Sequence, residues 1–171
     1  MKVFIFNGKG CAGKTSTEKM IQDIAAAHNK KIDICSTIDY VKSIAEGFGW
    51  NGSKSLADRE MLSNLKDLLT KWNDIPYKKV CEKIKVSNDE GAAAIFIDCR
   101  EPQEIQRFVD DFGALTVLVR RNSLDLVYGN HADDNVEDFE YDIYIDNNKG
   151  LDELFQEAAI FYETFIEEVE L

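Results

Sequence analysis

A glycine-rich segment near the start of the chain has the residue types and spacing of a phosphate-binding loop. Residues 8–15 read Gly-Lys-Gly-Cys-Ala-Gly-Lys-Thr, which fits the pattern G-x-x-x-x-G-K-[ST]. In such a loop backbone N–H groups surround phosphate oxygens, the lysine reaches the β- and γ-phosphates, and the threonine binds Mg²⁺. We therefore predict a catalytic role for Lys14 and a metal-binding role for Thr15. The predicted nucleotide-binding residues are Gly8, Gly10, Cys11, Ala12, Gly13, Lys14, Thr15 and Ser16.

A carboxylate follows an apolar run further along the chain. Residues 94–98 read Ala-Ile-Phe-Ile-Asp, so we expect Asp98 at the carboxyl end of a buried strand. In phosphate-loop proteins a carboxylate in that setting organises the Mg²⁺ shell, often with water molecules in between. The alternative is a cap on the helix that follows. We predict that Asp98 is both a catalytic residue and a metal-binding residue.

Three arginines follow predicted strands at the same edge of the sheet. Arg100 lies two residues after Asp98, where a guanidinium can bind phosphate in bidentate fashion or pair with Glu104 one helical turn later. Arg120 and Arg121 leave the next strand. Phosphoryl transfer needs cations near the migrating group. We predict catalytic roles for Arg100 and for Arg120, which comes first off its strand.

The order of the predicted elements indicates an α/β domain. An apolar run precedes the glycine-rich loop, a helix follows it, and a second apolar run comes next, which implies a parallel sheet. The five predicted strands cover residues 3–7, 31–35, 92–98, 115–119 and 141–146. Helices of this layer are predicted over residues 14–29, 102–112 and 151–171. The 171 residues are expected to form one domain.

Residues 38–87 contain no convincing strand and predict an inserted helical lobe. Helices are predicted over residues 38–48, 56–72 and 76–86, because apolar residues recur there at helical spacing. Lys42, Arg59 and Lys66 are candidate contacts to the phosphate of a second substrate, although each also fits an ordinary solvated helix face. The apolar positions expected to face inward are Met61, Leu65, Leu68, Leu69 and Trp72, whereas Val41, Ile44, Ala45 and Phe48 are expected to share one side of the first helix.

Composition excludes several classes of function. The net charge of -12 argues against general binding of nucleic acid, which needs a basic surface. The charge is uneven, since residues 1–85 carry a balance of +5 and residues 86–171 a balance of -17. The half with the glycine-rich loop is thus the basic one, as a polyphosphate site requires. Four widely separated cysteines predict reduced thiols in a cytoplasmic protein, and no apolar run is long enough to span a membrane.

Together these motifs resemble the nucleoside monophosphate kinase superfamily, and within it the phage and bacterial deoxynucleoside monophosphate kinase-like group. The likeness rests on residues 7–15, 98–101 and 118–120, and on a tail pattern from His131 to Leu154. The resemblance implies the three-layer α/β fold of P-loop NTPases, with helices on both faces of a five-stranded parallel sheet in the order 2-3-1-4-5. It also implies an acceptor lobe at residues 38–87 and a lid at residues 120–140.

The same resemblance implies an activity. It predicts transfer of the γ-phosphate of Mg·ATP to a (deoxy)nucleoside monophosphate, with Asp98 and Arg100 beside the phosphoryl group and Arg120 at the base of the lid. The expected partners are a nucleotide and a small phosphorylated acceptor, without a nucleic-acid polymer or a membrane, for a monomer or homodimer. The predicted substrate-binding residues are Ser36, Asp39, Lys42, Arg59 and Lys66.

Two alternatives remain open at this point. Residues 9–15 are similar to the loop K-G-G-x-G-K-[ST] of dimeric switch ATPases, in which the early lysine, here Lys9, reaches the nucleotide of a partner subunit. That alternative predicts dimerisation driven by ATP. The other is a degenerate kinase that binds nucleotide without transferring phosphate. It is suggested by the lid, because the chain has no Lys or Arg between Arg121 and Lys149.

Overall fold

The computed structural model of the chain describes residues 1–121, 136 and 139–167. Its strands are β1 (Lys2–Asn7), β2 (Ile32–Ser36), β3 (Ala94–Asp98), β4 (Leu115–Arg120) and β5 (Ile143–Asp146). Its α-helices are α1 (Lys14–Ala27), α2 (Asp39–Gly47), α3 (Leu56–Asn73), α4 (Ile75–Asp89), α5 (Pro102–Phe112) and α6 (Leu151–Phe161). A π-helical turn over Tyr162–Ile166 follows α6, so the closing α-helix is shorter than predicted.

All five strands are parallel and lie in the order β2-β3-β1-β4-β5. The predicted α/β fold class and the predicted strand order are therefore confirmed. The central strand β1 lies between β3 and β4 and runs directly into the glycine-rich loop. Because the strands are parallel, the residues that follow β1, β3, β4 and β5 meet at one edge of the sheet.

The sheet is covered on both faces, as the alternation of side chains along β1 shows. Phe4 and Phe6 point to the face covered by α1, α6 and the π-helical turn, where the Phe161 ring packs at a tilt against both rings. Val3 and Ile5 point to the opposite face, which is covered by α4 and α5. Both faces of a parallel sheet are buried in this way, so its strands are continuously apolar.

Helix α3 differs from the prediction for the acceptor lobe. All of α3 lies within the described part of the chain, and none of its residues is buried. Leu68 is 63% exposed, Trp72 is 73% exposed, and Phe48 after α2 is 85% exposed. The prediction that Leu68 and Trp72 face inward is wrong. The helix packs along α2 and α4 instead of against the sheet, so much of its apolar stripe has no surface to cover it.

Asn7 ties together the loops at the carboxyl edge of the sheet. Its side chain is fully buried, and its Oδ1 accepts a hydrogen bond from the Gly8 N–H at 2.8 Å. Its Nδ2 donates to the Tyr141 hydroxyl at 2.7 Å and to the Arg100 carbonyl at 3.4 Å. Burial raises the pKa of Tyr141 to about 12, so this hydroxyl keeps its proton and donates to the Val136 carbonyl.

Most of the predicted lid, including His131, lies outside the described residues.

The four cysteines all lie within the described residues and form no disulfide. In the described part of the chain, no helix has both the length and the apolar character that crossing a bilayer demands.

Candidate nucleotide site

The glycine-rich loop forms the floor of a cavity of about 770 Å³, which we call the P-loop cavity. A volume of this size is typical of sites for small molecules and cofactors. Residues 8–16 line one side of it, and residues from the ends of β3, β4 and β5 line the others. The lining residues outside the loop are Lys54, Arg100, Arg121, Asn147, Asn148, Lys149, Gly150, Leu151 and Leu154.

The loop holds a conformation that favours glycine at its last turn. Gly13 has φ +99° and is the N-cap residue of α1, so the positive end of that helix faces the P-loop cavity. Asn147 lies against Gly13 and donates a hydrogen bond from Nδ2 to the Ala12 carbonyl at 2.9 Å. A Cβ at position 13 would overlap the Asn147 amide. The loop is therefore fixed from the β5 side as well as by its own backbone.

Lys14 and Asp98 meet at the carboxyl edge of the sheet. The ammonium of Lys14 forms an ion pair with Asp98 Oδ1, and both side chains are largely buried. The backbone register places Asp98 beside Phe6 on one side and Ser36 on the other. Asp98 therefore lies directly next to the start of the glycine-rich loop. The structure brings together the two residues that the sequence predicts to act on phosphate and metal.

A third ionisable residue lies behind this pair. Glu18 comes one turn after Lys14 on α1, is 1% exposed, and has no hydrogen-bond partner for Oε1 among the described residues. Burial, together with the neighbouring Asp98 carboxylate, raises the pKa of Glu18 to about 9. The Glu18 carboxyl is thus neutral at physiological pH.

These residues fit a Mg²⁺–nucleotide. Mg²⁺ prefers oxygen ligands and keeps several of its waters, so few protein ligands are needed. Thr15 and Asp98 would supply a hydroxyl and a carboxylate. No group of three or more His, Cys, Asp or Glu side chains that could hold a metal occurs within the described ranges. The donor set therefore fits a hydrated, phosphate-bound cation better than a metal held by protein alone.

The arginines that line the P-loop cavity are not the two for which catalytic roles were predicted. Arg100 and Arg121 both line the P-loop cavity, whereas Arg120 does not. Arg120 Nε lies 3.1 Å from Asp146 Oδ1, and its guanidinium stacks over the Tyr144 ring at 4.6 Å. The Arg120 side chain thus contacts two residues of β5, Asp146 and Tyr144. The catalytic role expected of Arg120 stays a prediction, but the geometry favours Arg121.

On the acceptor side, Lys66 is held between the lobe and the sheet. Its ammonium lies 2.7 Å from Glu104 Oε2 and 3.3 Å from Thr37 Oγ1. The Cys99 thiol donates to the same Glu104 oxygen at 3.3 Å, and burial raises the pKa of that thiol. Lys66 therefore lies close to the ends of β2 and β3, where an acceptor next to Asp98 would bind.

The other predicted acceptor residues are more exposed. The Asp39 carboxylate accepts a hydrogen bond from the Ser36 N–H at 2.7 Å and lies 3.7 Å from Lys42 Nζ. Ser36 Oγ donates to the Asp98 carbonyl at 3.4 Å. Arg59 is exposed in the first turns of α3. Ser36 and Lys66 thus approach the Asp98 region, and the structure does not bring Lys42 and Arg59 into the P-loop cavity.

Several site residues were not predicted from the sequence. Glu18, Lys54, Asn147 and Lys149 surround the glycine-rich loop in space, and none of them was predicted as a site residue. Asn147 and Lys149 fall within the tail pattern, but the turn predicted there does not indicate contact with the loop. The one available signal for Glu18 is its position four residues after Lys14, which places both on the same side of α1.

Comparisons with known proteins bear on the fold. No family model and no curated protein matches the chain. Among solved structures, dephospho-CoA kinase from Campylobacter jejuni matches with a TM-score of 0.53 and 11% identity, over 95% of this chain and 96% of that chain. The likeness therefore extends over nearly the whole of both chains. At this identity it shows the fold alone, which this chain shares with that protein.

Proposed function

We propose that the protein is an ATP-dependent phosphotransferase that moves the γ-phosphate of Mg·ATP to a (deoxy)nucleoside monophosphate. One observation carries the proposal. Among the described residues that line the P-loop cavity, six are Lys or Arg and none is Asp or Glu, in a chain of net charge -12. Such a concentration of positive charge favours a polyphosphate over any neutral ligand.

The donor side would bind the nucleotide phosphates through the glycine-rich loop and Lys14. Lys14 would then exchange its contact with Asp98 for the phosphates, and Asp98 with Thr15 would hold Mg²⁺. When bound, Mg²⁺ supplies positive charge to the β- and γ-phosphates. Arg100 and Arg121, which reach the cavity from β3 and β4, would stabilise charge on the γ-phosphate. Transfer of this kind depends on positioning and electrostatics more than on covalent chemistry by the protein.

The position of the helical lobe supports an acceptor site next to the P-loop cavity. The loop between α2 and α3 borders the P-loop cavity, and Lys66 lies near the ends of β2 and β3. A phosphorylated acceptor between the lobe and Asp98 would face the donor phosphate. The fold shared with dephospho-CoA kinase supports a kinase over a switch ATPase. The resemblance of the motifs to deoxynucleoside monophosphate kinase-like proteins supports a nucleotide as the acceptor.

The test is a panel of acceptors. The protein is incubated with Mg·ATP and each ribo- and deoxyribonucleoside monophosphate, with nucleosides, and with dephospho-CoA, and ADP release is followed. Acceptor-dependent ADP release that is lost in Lys14→Ala is the expected result, and the acceptor that gives it names the substrate class. Release that depends only on dephospho-CoA or on a nucleoside would keep the phosphotransferase and replace the proposed acceptor.

Two other outcomes would reject the proposed function. ATP binding without ADP release for any acceptor would indicate a degenerate kinase. ADP release indifferent to acceptors, together with an ATP-dependent doubling of mass in light scattering, would indicate a switch ATPase. In the latter case Lys9→Ala should prevent the change in mass, because Lys9 would bind the partner's nucleotide.

A further inference from the structure

The acceptor lobe contributes one residue to the P-loop cavity. Within the described residues, every other lining residue belongs to the glycine-rich loop or to segments that follow β3, β4 and β5. Lys54 lies in the connection between α2 and α3, and it is the member of the lobe that lines the cavity. A cation from the lobe can approach the donor phosphates from the side on which the acceptor would bind.

The connection that carries Lys54 is held by hydrogen bonds on both sides of it. Trp50 Nε1 donates to the Ser53 carbonyl at 3.1 Å, and the Ser53 N–H donates to Asn51 Oδ1 at 3.1 Å. Ser55 caps α3 by accepting a hydrogen bond from the Asp58 N–H at 3.2 Å. The backbone around Lys54 is thus positioned by its neighbours, which directs this lysine to the cavity.

The Lys54 side chain is exposed and uncommitted. Throughout residues 1–121 and 139–167, its ammonium has no hydrogen bond or ion pair, whereas Lys14 pairs with Asp98 and Lys66 with Glu104. An ammonium on a long flexible stem can follow a phosphate as it moves. The chain also offers no Lys or Arg between Arg121 and Lys149, so beyond Arg121 the predicted lid has neither residue to bring to the transferred group.

We propose that Lys54 is a catalytic residue whose ammonium binds the phosphoryl group between donor and acceptor. This inference rests on the proposed function. In the transfer, an oxygen of the acceptor phosphate forms a bond to the γ-phosphorus. The bond from that phosphorus to the β,γ-bridging oxygen breaks, and its electron pair stays on ADP. Lys54 keeps its proton throughout and stabilises the charge on the three equatorial oxygens.

The experiment compares Lys54→Ala and Lys54→Arg with Lys71→Ala. Lys71 is an exposed lysine on the same lobe that does not line the cavity. Lys71→Ala therefore removes one positive charge from the lobe without changing the cavity lining. For each variant kcat and KM are measured with the acceptor found for the wild type, and ATP affinity is measured by calorimetry. Circular dichroism and thermal melting confirm that the variants fold.

We expect Lys54→Ala to lower kcat about 100-fold while the Kd for ATP changes less than about threefold. Lys54→Arg should recover most of that loss, and Lys71→Ala should match the wild type. An unchanged kcat in Lys54→Ala would overturn the inference while leaving the proposed function intact. A loss confined to ATP affinity would also overturn it. If the wild type transfers phosphate to no acceptor, the proposed function fails first and the role of Lys54 fails with it.

Discussion

Lys14 and Asp98, 84 positions apart in the chain, form an ion pair at the carboxyl edge of the sheet. The pair exists because β1 and β3 are neighbours, so the glycine-rich loop after β1 begins beside the last residue of β3. The lysine proposed to bind phosphate and the carboxylate proposed to bind Mg²⁺ are thereby placed in contact. Under the proposed function Lys14 would exchange this contact for the nucleotide phosphates, and the Asp98 carboxylate would then hold Mg²⁺.

Removing the Lys14 ammonium should abolish nucleotide binding. Lys14→Ala deletes the main cation of the glycine-rich loop, and we expect ATP affinity to fall at least about 100-fold. Lys19→Ala is the matched control, because Lys19 lies on the same helix, is 64% exposed, and contacts Asp23 and Gln22 on that helix. Calorimetric titration with Mg·ATP measures both. Equal affinities for the two variants would contradict the assignment of this loop as a nucleotide site.

Glu18 should make stability depend on pH. Its pKa in the folded protein, about 9, lies above its ordinary value of 4.5. Between these values the folded state holds one proton more than the unfolded state, so stability falls as pH rises, by up to about 1.4 kcal/mol per pH unit. Glu18→Gln keeps a neutral side chain of similar shape and should remove this dependence.

The measurement is urea unfolding of both proteins between about pH 5 and pH 9, without metal or nucleotide. The difference in unfolding free energy between Glu18→Gln and the wild type should grow with pH. Glu46→Gln is the control, since Glu46 is exposed on α2, and its difference should stay near zero. Stability curves for Glu18→Gln and the wild type that run parallel over the whole range would show that Glu18 is already ionised in the folded protein.

The two adjacent arginines should have separable effects. Arg121 lines the P-loop cavity, so Arg121→Ala should lower kcat for transfer at least about tenfold. Arg120 pairs with Asp146 and stacks on Tyr144, so Arg120→Ala should leave kcat nearly unchanged and cost about 1 kcal/mol of stability. Steady-state kinetics and thermal unfolding of both variants test this division. A larger loss of kcat in Arg120→Ala would restore its predicted role at the base of the lid.

Gly13 should be essential for nucleotide binding for two reasons, its positive φ and the lack of space for a Cβ at its position. Gly13→Ala would force a Cβ against the Asn147 amide and displace the loop, so nucleotide affinity should fall at least about tenfold. Gly113 has φ +60° and nothing within 4 Å of an added Cβ, so Gly113→Ala tests conformational strain without a clash. We expect Gly113→Ala to cost about 1 kcal/mol of stability and to bind nucleotide normally.

The comparison is made by calorimetry for affinity and by urea unfolding for stability. Asn147→Ala provides a further check, since it removes the hydrogen bond to the Ala12 carbonyl as well as the obstruction at position 13. If Gly13→Ala binds Mg·ATP as well as Gly113→Ala does, contact with Asn147 is not what holds the loop in its binding conformation.

Much of the fold could be predicted because the relevant signals are local. The apolar runs of β1 and β3, the glycines of the loop and the helix after it lie within short segments. The strand order followed from the resemblance to a known kinase superfamily, and the structure confirms it. Asp98 could be placed at a strand end for the same reason, since a carboxylate that follows four apolar residues has few other positions to occupy.

The inward face of α3 was predicted wrongly, and the reason is physical. Periodicity shows that Leu68 and Trp72 share one side of a helix, but it does not show whether another element covers that side. In the folded protein α3 packs along α2 and α4, and these two side chains remain exposed. Burial depends on a partner surface, which a pattern along one segment does not contain.

The sequence alone therefore determines the local motif of this protein. Which other residues line the cavity depends on how distant segments pack together. The residues of the glycine-rich loop that are proposed to bind phosphate are neighbours in sequence, so their pattern is recognisable along the chain. Lys54 and Asn147 reach that loop from segments about 40 and 130 residues away, through sheet order and loop packing. The positions of Arg120 and Arg121 depend on tertiary structure likewise, because β5 supplies the Asp146 carboxylate that pairs with Arg120, and Arg121 lines the cavity.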